Sequence, residues 1–327
     1  MKGLRVLAKP RFGINPRNAQ LYSYLEVEHQ VEELSIKSVI KSYDILHIHW
    51  PDRVFKWRLP TLMSLGVLFA FLGFFKIRKT KVIYTCHNPF PRLPRGGQKN
   101  YLALYYKILN MLVDGLVILS EGQKETVRTL FPSVKLVKVI PLGIQDVDDV
   151  AGVLSEPEML PPTPFVFVAG MQERTKKTEL VLSELQEHLS RDYRIFVCGI
   201  FPDPEYFAEL RKEFSEHRFH FANMRLSDSE YNFVIRQAAA VVIAQHNPTN
   251  SGVATLSVAL GTPCYTNSES FVAEFGRQYG GGYIHPIASM ATGVANISKN
   301  SGSLKYRMRD VAVETASFYK IVCGERN

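Results

Sequence analysis

Three runs of polar and titratable residues stand where short apolar stretches stop: Lys9-Pro10-Arg11-Phe12-Gly13-Ile14-Asn15-Pro16, Asp44-Ile45-Leu46-His47-Ile48-His49-Trp50-Pro51-Asp52 and Tyr84-Thr85-Cys86-His87-Asn88-Pro89. A general base needs a lone pair at neutral pH and a place within hydrogen-bond reach of the hydroxyl it deprotonates. His87 and Asp52 are the candidate bases. His47 and His49 read equally well as core histidines whose rings are hydrogen-bonded.

Two further segments suit a phosphorylated ligand. Phe165-Val166-Phe167-Val168-Ala169-Gly170 is a buried strand entering a glycine turn, and Arg174, Lys176 and Lys177 follow. A guanidinium and ammonium groups there can neutralise charge spread over pyrophosphate oxygens; the alternative is a solvated basic helix start. In Asn247-Pro248-Thr249-Asn250-Ser251-Gly252, Asn250 or Ser251 caps a helix, Gly252 allows close approach of a ligand, and Gly261 stops the helix. A helix start with small capping residues is an anion site, each charge–dipole contact contributing about 0.3–1 kcal/mol; a plain capped core helix fits the same residues.

These groups need a scaffold, and short apolar runs alternating with helical patterns supply one of parallel α/β type. In the first half, strands are expected at Leu4–Lys9, Asp44–Trp50, Lys81–His87, Asp114–Ser120 and Leu136–Pro141, with helices over about 19–34, 54–76, 98–112 and 121–130. An acidic, proline-rich seam from Asp146 to Pro164 reads as an exposed linker. Beyond it, strands are expected at Phe165–Ala169, Arg194–Cys198, Phe219–Ala222, Ala240–Ala244 and Pro263–Thr266, and a closing helix at Met308–Val322. Two doubly wound domains of this kind are expected to place a ligand cleft between the carboxyl ends of their sheets.

At 327 residues, the chain has room for two such domains. Its four cysteines are far apart, without a CxxC pair, so a reducing compartment is expected. Met1-Lys2-Gly3 runs directly into a first strand, too short for a secretory signal. The longest apolar stretch, Leu59 to Phe75, falls short of the roughly 20 residues of a membrane span. It reads as a core helix or as one touching a bilayer surface. Residues 1–150 carry 22 Lys+Arg against 12 Asp+Glu, so all the excess positive charge lies in the first half. Near an anionic surface each such residue contributes about 1 kcal/mol. No helix-turn-helix, aromatic RNA-binding pattern or zinc finger accompanies the charge, which argues against nucleic acid as the partner.

Together these segments resemble GT-B fold glycosyltransferases over nearly the whole chain, and the IHWPD and TCHNPFP runs at 48–52 and 85–91 resemble the strand ends of bacterial exopolysaccharide and lipid-linked-oligosaccharide transferases of the xanthan-assembly type. The resemblance implies an α/β protein of two Rossmann-like domains, residues 1–150 for the acceptor and 151–307 for the donor, with a helix at 308–327 crossing back onto the first. It implies that Gly170, Arg174, Lys176 or Lys177, Asn250, Ser251 and Gly252 hold the diphosphate of a UDP- or GDP-linked sugar. Gly13, Asn15, His49 and Trp50 fall on the acceptor side, and His87 or Asp52 supplies the base. One departure stands out: the two glutamates that many retaining members carry before the GxP turn are replaced here by Pro248 and Leu256. Inversion is therefore expected, with Glu269 a substitute donor contact. No cofactor or metal is expected, since the basic side chains can neutralise the leaving group and Asp146-Val147-Asp148 falls in the seam. The expected acceptor is a lipid-linked or oligosaccharide chain, at the cytoplasmic face of an anionic membrane. A nucleotide-sugar epimerase on the same fold and a non-catalytic sugar-nucleotide-binding partner of another transferase are the rival readings.

Overall fold

The computed structural model describes residues 3–10, 16–91, 93, 97–146, 155–246, 248, 251–267, 270–279, 283–294 and 306–324. The chain divides into two compact units, Met1–Pro141 with Met308–Asn327, and Leu142–Arg307.

In the first unit the order is β1 (Arg5–Lys9), α1 (Pro16–Leu25), β2 (Gln30–Glu33), α2 (Ile36–Val39), β3 (Ile45–His49), α3 (Thr61–Ile77), β4 (Lys81–Cys86), α4 (Leu102–Leu112), β5 (Gly115–Ile118), α5 (Lys124–Leu130) and β6 (Leu136–Val139). The strands form one parallel sheet, β2-β1-β3-β4-β5-β6. β3, Ile-Leu-His-Ile-His, is buried at every position, as a central parallel strand with helices on both faces requires. Leu46 and Ile48 join Tyr84 and Cys86 in a core that α3 and α4 close.

The second unit runs β7 (Phe165–Ala169), α6 (Thr178–His188), β8 (Arg194–Gly199), α7 (Pro204–Glu213), β9 (Phe219–Asn223), α8 (Asp228–Gln237), β10 (Ala240–Ile243), α9 (Gly252–Ala259), β11 (Cys264–Thr266), α10 (Phe271–Tyr279) and β12 (Ile284–Pro286). Its sheet, also parallel, has the order β12-β11-β10-β7-β8-β9. The last helix, α11 (Met308–Cys323), belongs to the first unit. It packs on α1 and against β5, where a Cβ on Gly115 would lie 2.8 Å from Val322 Cγ2 and 3.0 Å from Phe318 Cζ.

Three expectations from sequence need correction. The helix read over 19–34 ends at Leu25, and Gln30–Glu33 is instead the edge strand β2. With Val31 its single fully buried residue, that strand carries almost no periodic signal. The helix read over 54–76 is broken: a 3-10 turn spans Pro51–Lys56, and α3 starts only after Pro60. Proline disfavours helical conformation in the residue before it and lacks the amide an interior turn needs. The strand β12 was not anticipated; it is three residues long and ends in proline.

Candidate active site

Ligands of open parallel sheets bind outside the carboxyl ends of the strands where the strand order reverses. In the first unit that place lies between β1 and β3, and Lys9-Pro10, His49-Trp50 and His87 close the strand ends around it. His47 Nδ1 meets Tyr319 Oη at 2.6 Å and its Nε2 meets Thr85 Oγ1 at 2.7 Å, so both ring nitrogens are engaged. His47 is therefore a satisfied core histidine.

His49 differs. Its Nε2 meets Tyr22 Oη at 2.7 Å and its Nδ1 meets His87 Nε2 at 2.9 Å. One hydrogen lies between the two imidazoles. If His87 accepts a proton at Nδ1, its Nε2 carries that hydrogen and donates it to His49 Nδ1, and His49 in turn donates from Nε2 to Tyr22 Oη. Trp50 stacks on the His87 ring, centroids 4.3 Å apart and planes inclined by 16°, and holds left-handed backbone dihedrals to do so (φ 50°). Burial drives the His87 pKa well below 6.5, with the charges of His49 and Arg17 adding to the shift, and burial lowers that of His49 to about 3. Both rings are neutral at pH 7. The charge of Asp52 acts on Tyr84, Cys86, Tyr105 and Tyr106.

A pocket of about 280 Å³ opens beside the histidines, lined by Lys9, Pro10, His49, Trp50, Arg53 and Trp57 together with residues of α3.

In the second unit the order reverses between β7 and β10. β7 ends at Gly170, whose φ of +120° suits only glycine, and Gly199 of β8 lies so close to the Gly170 carbonyl that a Cβ there has no room. The turn is held by the buried Gln172 amide, which donates to Gly170 O at 3.0 Å while its oxygen accepts from Thr178 Oγ1 at 2.9 Å. Arg174 is exposed, but two carboxylates occupy it: Nη1 and Nη2 donate to Glu209 at 2.6 and 3.2 Å, and Nε donates to Asp203 at 3.3 Å. A diphosphate at Arg174 has to displace one of them. Lys176 Nζ donates to Met171 O at 2.6 Å, and Lys177 takes a left-handed φ of 54° at the start of α6. Ser251 caps α9, its Oγ accepting from Ala254 N at 3.3 Å, and Gly252 stands exposed in the first turn. Asn250, Glu269, Gly13 and Asn15 lie outside the described residues.

Sequence reasoning missed several groups that the fold brings to these strand ends. Tyr22 and Tyr319 sit on helices with ordinary periodicity, and only the fold shows that their hydroxyls point at histidines. Arg17 is buried at the start of α1, and burial lowers its pKa to about 10. Beyond β10, His246 Nε2 lies 3.1 Å from Glu184 Oε1 and 3.2 Å from Asn267 Nδ2, a polar trio spread over 83 residues of chain. Among the described residues, no three His, Cys, Asp or Glu side chains are placed to hold a metal ion.

The glycosyltransferase AviGT4 of avilamycin A biosynthesis superposes on this chain with a TM-score of 0.62, at 13% identity, over 98% of both chains. Anabaena HepE, solved in complex with UDP-glucose, superposes at 0.57 and 14% identity, again over 98% of both. The fold is GT-B. A trehalose-6-phosphate structure from E. coli, bound with UDP-2-fluoro glucose, shares the GT-B architecture at a TM-score of 0.58 and 11% identity, over 97% of this chain and 96% of its own. In sequence, a GDP-mannose:glycolipid 4-beta-D-mannosyltransferase of Xanthomonas campestris pv. campestris is 31% identical over 97 residues. That match spans 29% of this chain and 28% of the length of the mannosyltransferase. No protein-family profile matches the chain.

Proposed function

We propose that this chain transfers a hexosyl group from a UDP- or GDP-linked sugar to a hydroxyl of a lipid-linked saccharide, with inversion and without a resident metal or cofactor. The imidazole chain His49–His87, at the carboxyl end of the first sheet of a GT-B protein, carries the reading. The acceptor oxygen bonds to the anomeric carbon, the bond from that carbon to the phosphate oxygen breaks, and the acceptor proton passes to His87. Of the two candidate bases, the geometry favours His87, because its neutral ring has a partner on which to anchor the charge it gains. Donor phosphate charge is met by the first-turn amides of α9 at Ser251 and Gly252, by the Gly170 turn and by Lys176 and Lys177. Asn250 and Glu269 remain proposed donor contacts and Gly13 and Asn15 proposed acceptor contacts, on sequence grounds. The nucleotide sugar bound to HepE and the glycolipid acceptor in the name of the Xanthomonas mannosyltransferase support the substrate classes.

Attachment to the cytoplasmic face of an anionic membrane completes the proposal. α3 is apolar all round, and its outward residues Leu62, Met63, Phe69 and Ile77 are 57%, 57%, 45% and 85% exposed. Lys56, Arg58 and Lys79, all exposed, flank it. Among the described residues, no helix is long and apolar enough to cross a membrane. The test is a panel of nucleotide sugars scored by thermal shift, followed by transfer to a polyprenyl-linked saccharide in the presence of EDTA. One nucleotide sugar is expected to raise Tm and to be consumed with chelator present. No shift with any of them defeats the donor assignment, and turnover that stops with EDTA defeats the metal-free mechanism.

A further inference from the structure

We infer that Lys9 and Arg53, which both line the pocket of the first unit, form a phosphate subsite that holds the phosphoryl head of an amphiphilic acceptor, whose apolar chain runs along α3. The inference rests on the proposed lipid-linked acceptor and names the residues that recognise it.

Both cations line the same pocket of about 280 Å³. Among the described residues, neither is ion-paired to a carboxylate; Lys9 Nζ lies over an aromatic face, 5.2 Å from the centroid of Phe71. Burial of Lys9 pushes its pKa down and the Arg53 charge adds to the shift, so the pair is a repulsive arrangement that an anion bound to both relieves. A pyrophosphate linkage suits two cations better than a carboxylate, since it brings two negative charges where a carboxylate brings one.

The other walls are apolar. Val67, Leu68, Phe71 and Leu72 of α3 line the pocket, and the same helix carries on outward as an uncharged exposed face. Among the described residues, nothing lies within 4 Å of a Cβ position at Gly66 or Gly73 on that face. A ligand with a charged head and a hydrocarbon tail therefore finds both in one continuous surface. His49 and Trp50 line the pocket as well, which places the phosphate beside the imidazole chain. A bilayer headgroup or a free phosphate shares the head chemistry; the apolar wall of α3 beside the cations favours a single extended amphiphile.

The chain has two tryptophans, Trp50 and Trp57, and both line this pocket, so intrinsic fluorescence reports on it directly. Farnesyl diphosphate titrated into the full chain without nucleotide sugar is expected to change the emission saturably. Lys9→Gln and Arg53→Gln are each expected to weaken it at least tenfold, and farnesol and inorganic pyrophosphate to bind at least tenfold more weakly than farnesyl diphosphate. Equal binding by farnesol removes the phosphate subsite, and equal binding by pyrophosphate removes the tail wall. Unchanged titrations in both variants overturn the assignment, as does a loss confined to phosphatidylglycerol vesicles, which would make these residues a bilayer contact. Should one variant not fold, the other and Lys9→Arg, expected to retain binding, decide. The thermal shift with nucleotide sugar reads the second unit and is expected to survive in all variants; its absence with the farnesyl diphosphate titration intact would count against the donor reading alone.

Discussion

His87 gains a proton in the proposed reaction, and the residues behind it decide how easily. His87→Ala is expected to lower kcat by about 10²–10⁴, the range for loss of a general base, while leaving the nucleotide-induced Tm shift unchanged. Tyr22→Phe keeps the packing but removes the acceptor for His49 Nε2–H, so it is expected to move the pH–rate profile more than KM. The acid limb of kcat/KM is expected below pH 6.5, because His87 ionises well below that value. Stability follows with a definite sign. The folded-state pKa of His49 is lowered to about 3, so its contribution is present in full above the unfolded value of about 6.5 and is lost as pH falls from there toward 3. That single group costs about 1.4 kcal/mol per pH unit across the window. Urea denaturation between pH 7 and 4 is expected to show a steeper acid loss for the native chain than for His49→Gln; equal slopes would place the titrating group elsewhere.

Among the secondary-structure elements, the turns at Gly170 and Ser251 differ in what they demand. Ser251→Ala removes a cap worth about 1 kcal/mol and is expected to raise the donor KM as well as to lower Tm. Gly199→Ala cannot be accommodated without moving the Gly170 carbonyl, so it is expected to cost more stability than the cap and to weaken nucleotide-sugar binding, measured by thermal shift and calorimetry. The outer face of α3 has no such structural duty. Phe69→Asp is expected to leave Tm nearly unchanged and to abolish sedimentation with phosphatidylglycerol vesicles. The central strands were legible in the sequence because each is a run of buried apolar residues, and β7 is found as read, Phe165–Ala169. β2 and β12 were not, since the first has one buried apolar residue among polar ones and the second is three residues ending in proline. His49 and His87 were singled out as chemistry, but the hydrogen bond between them joins residues 38 apart and depends on strand register, which periodicity does not encode. The occupation of Arg174 by Asp203 and Glu209 was equally hidden, because both carboxylates come from another helix region.

For the molecule as a whole, one unit is continuous in sequence and the other is not. Residues Leu142–Arg307 form the second unit without interruption, whereas the first is completed by Met308–Asn327. α11 supplies the Tyr319 hydroxyl for His47 and fills the space over Gly115. A polypeptide made as far as Arg307 therefore has everything the second unit needs while the first still lacks its closing piece. During synthesis the earlier-made unit waits for the later-made one, its β5 surface bare and His47 short of one partner. Released chains truncated after Arg307 are expected to show protease resistance in the second unit and sensitivity in the first.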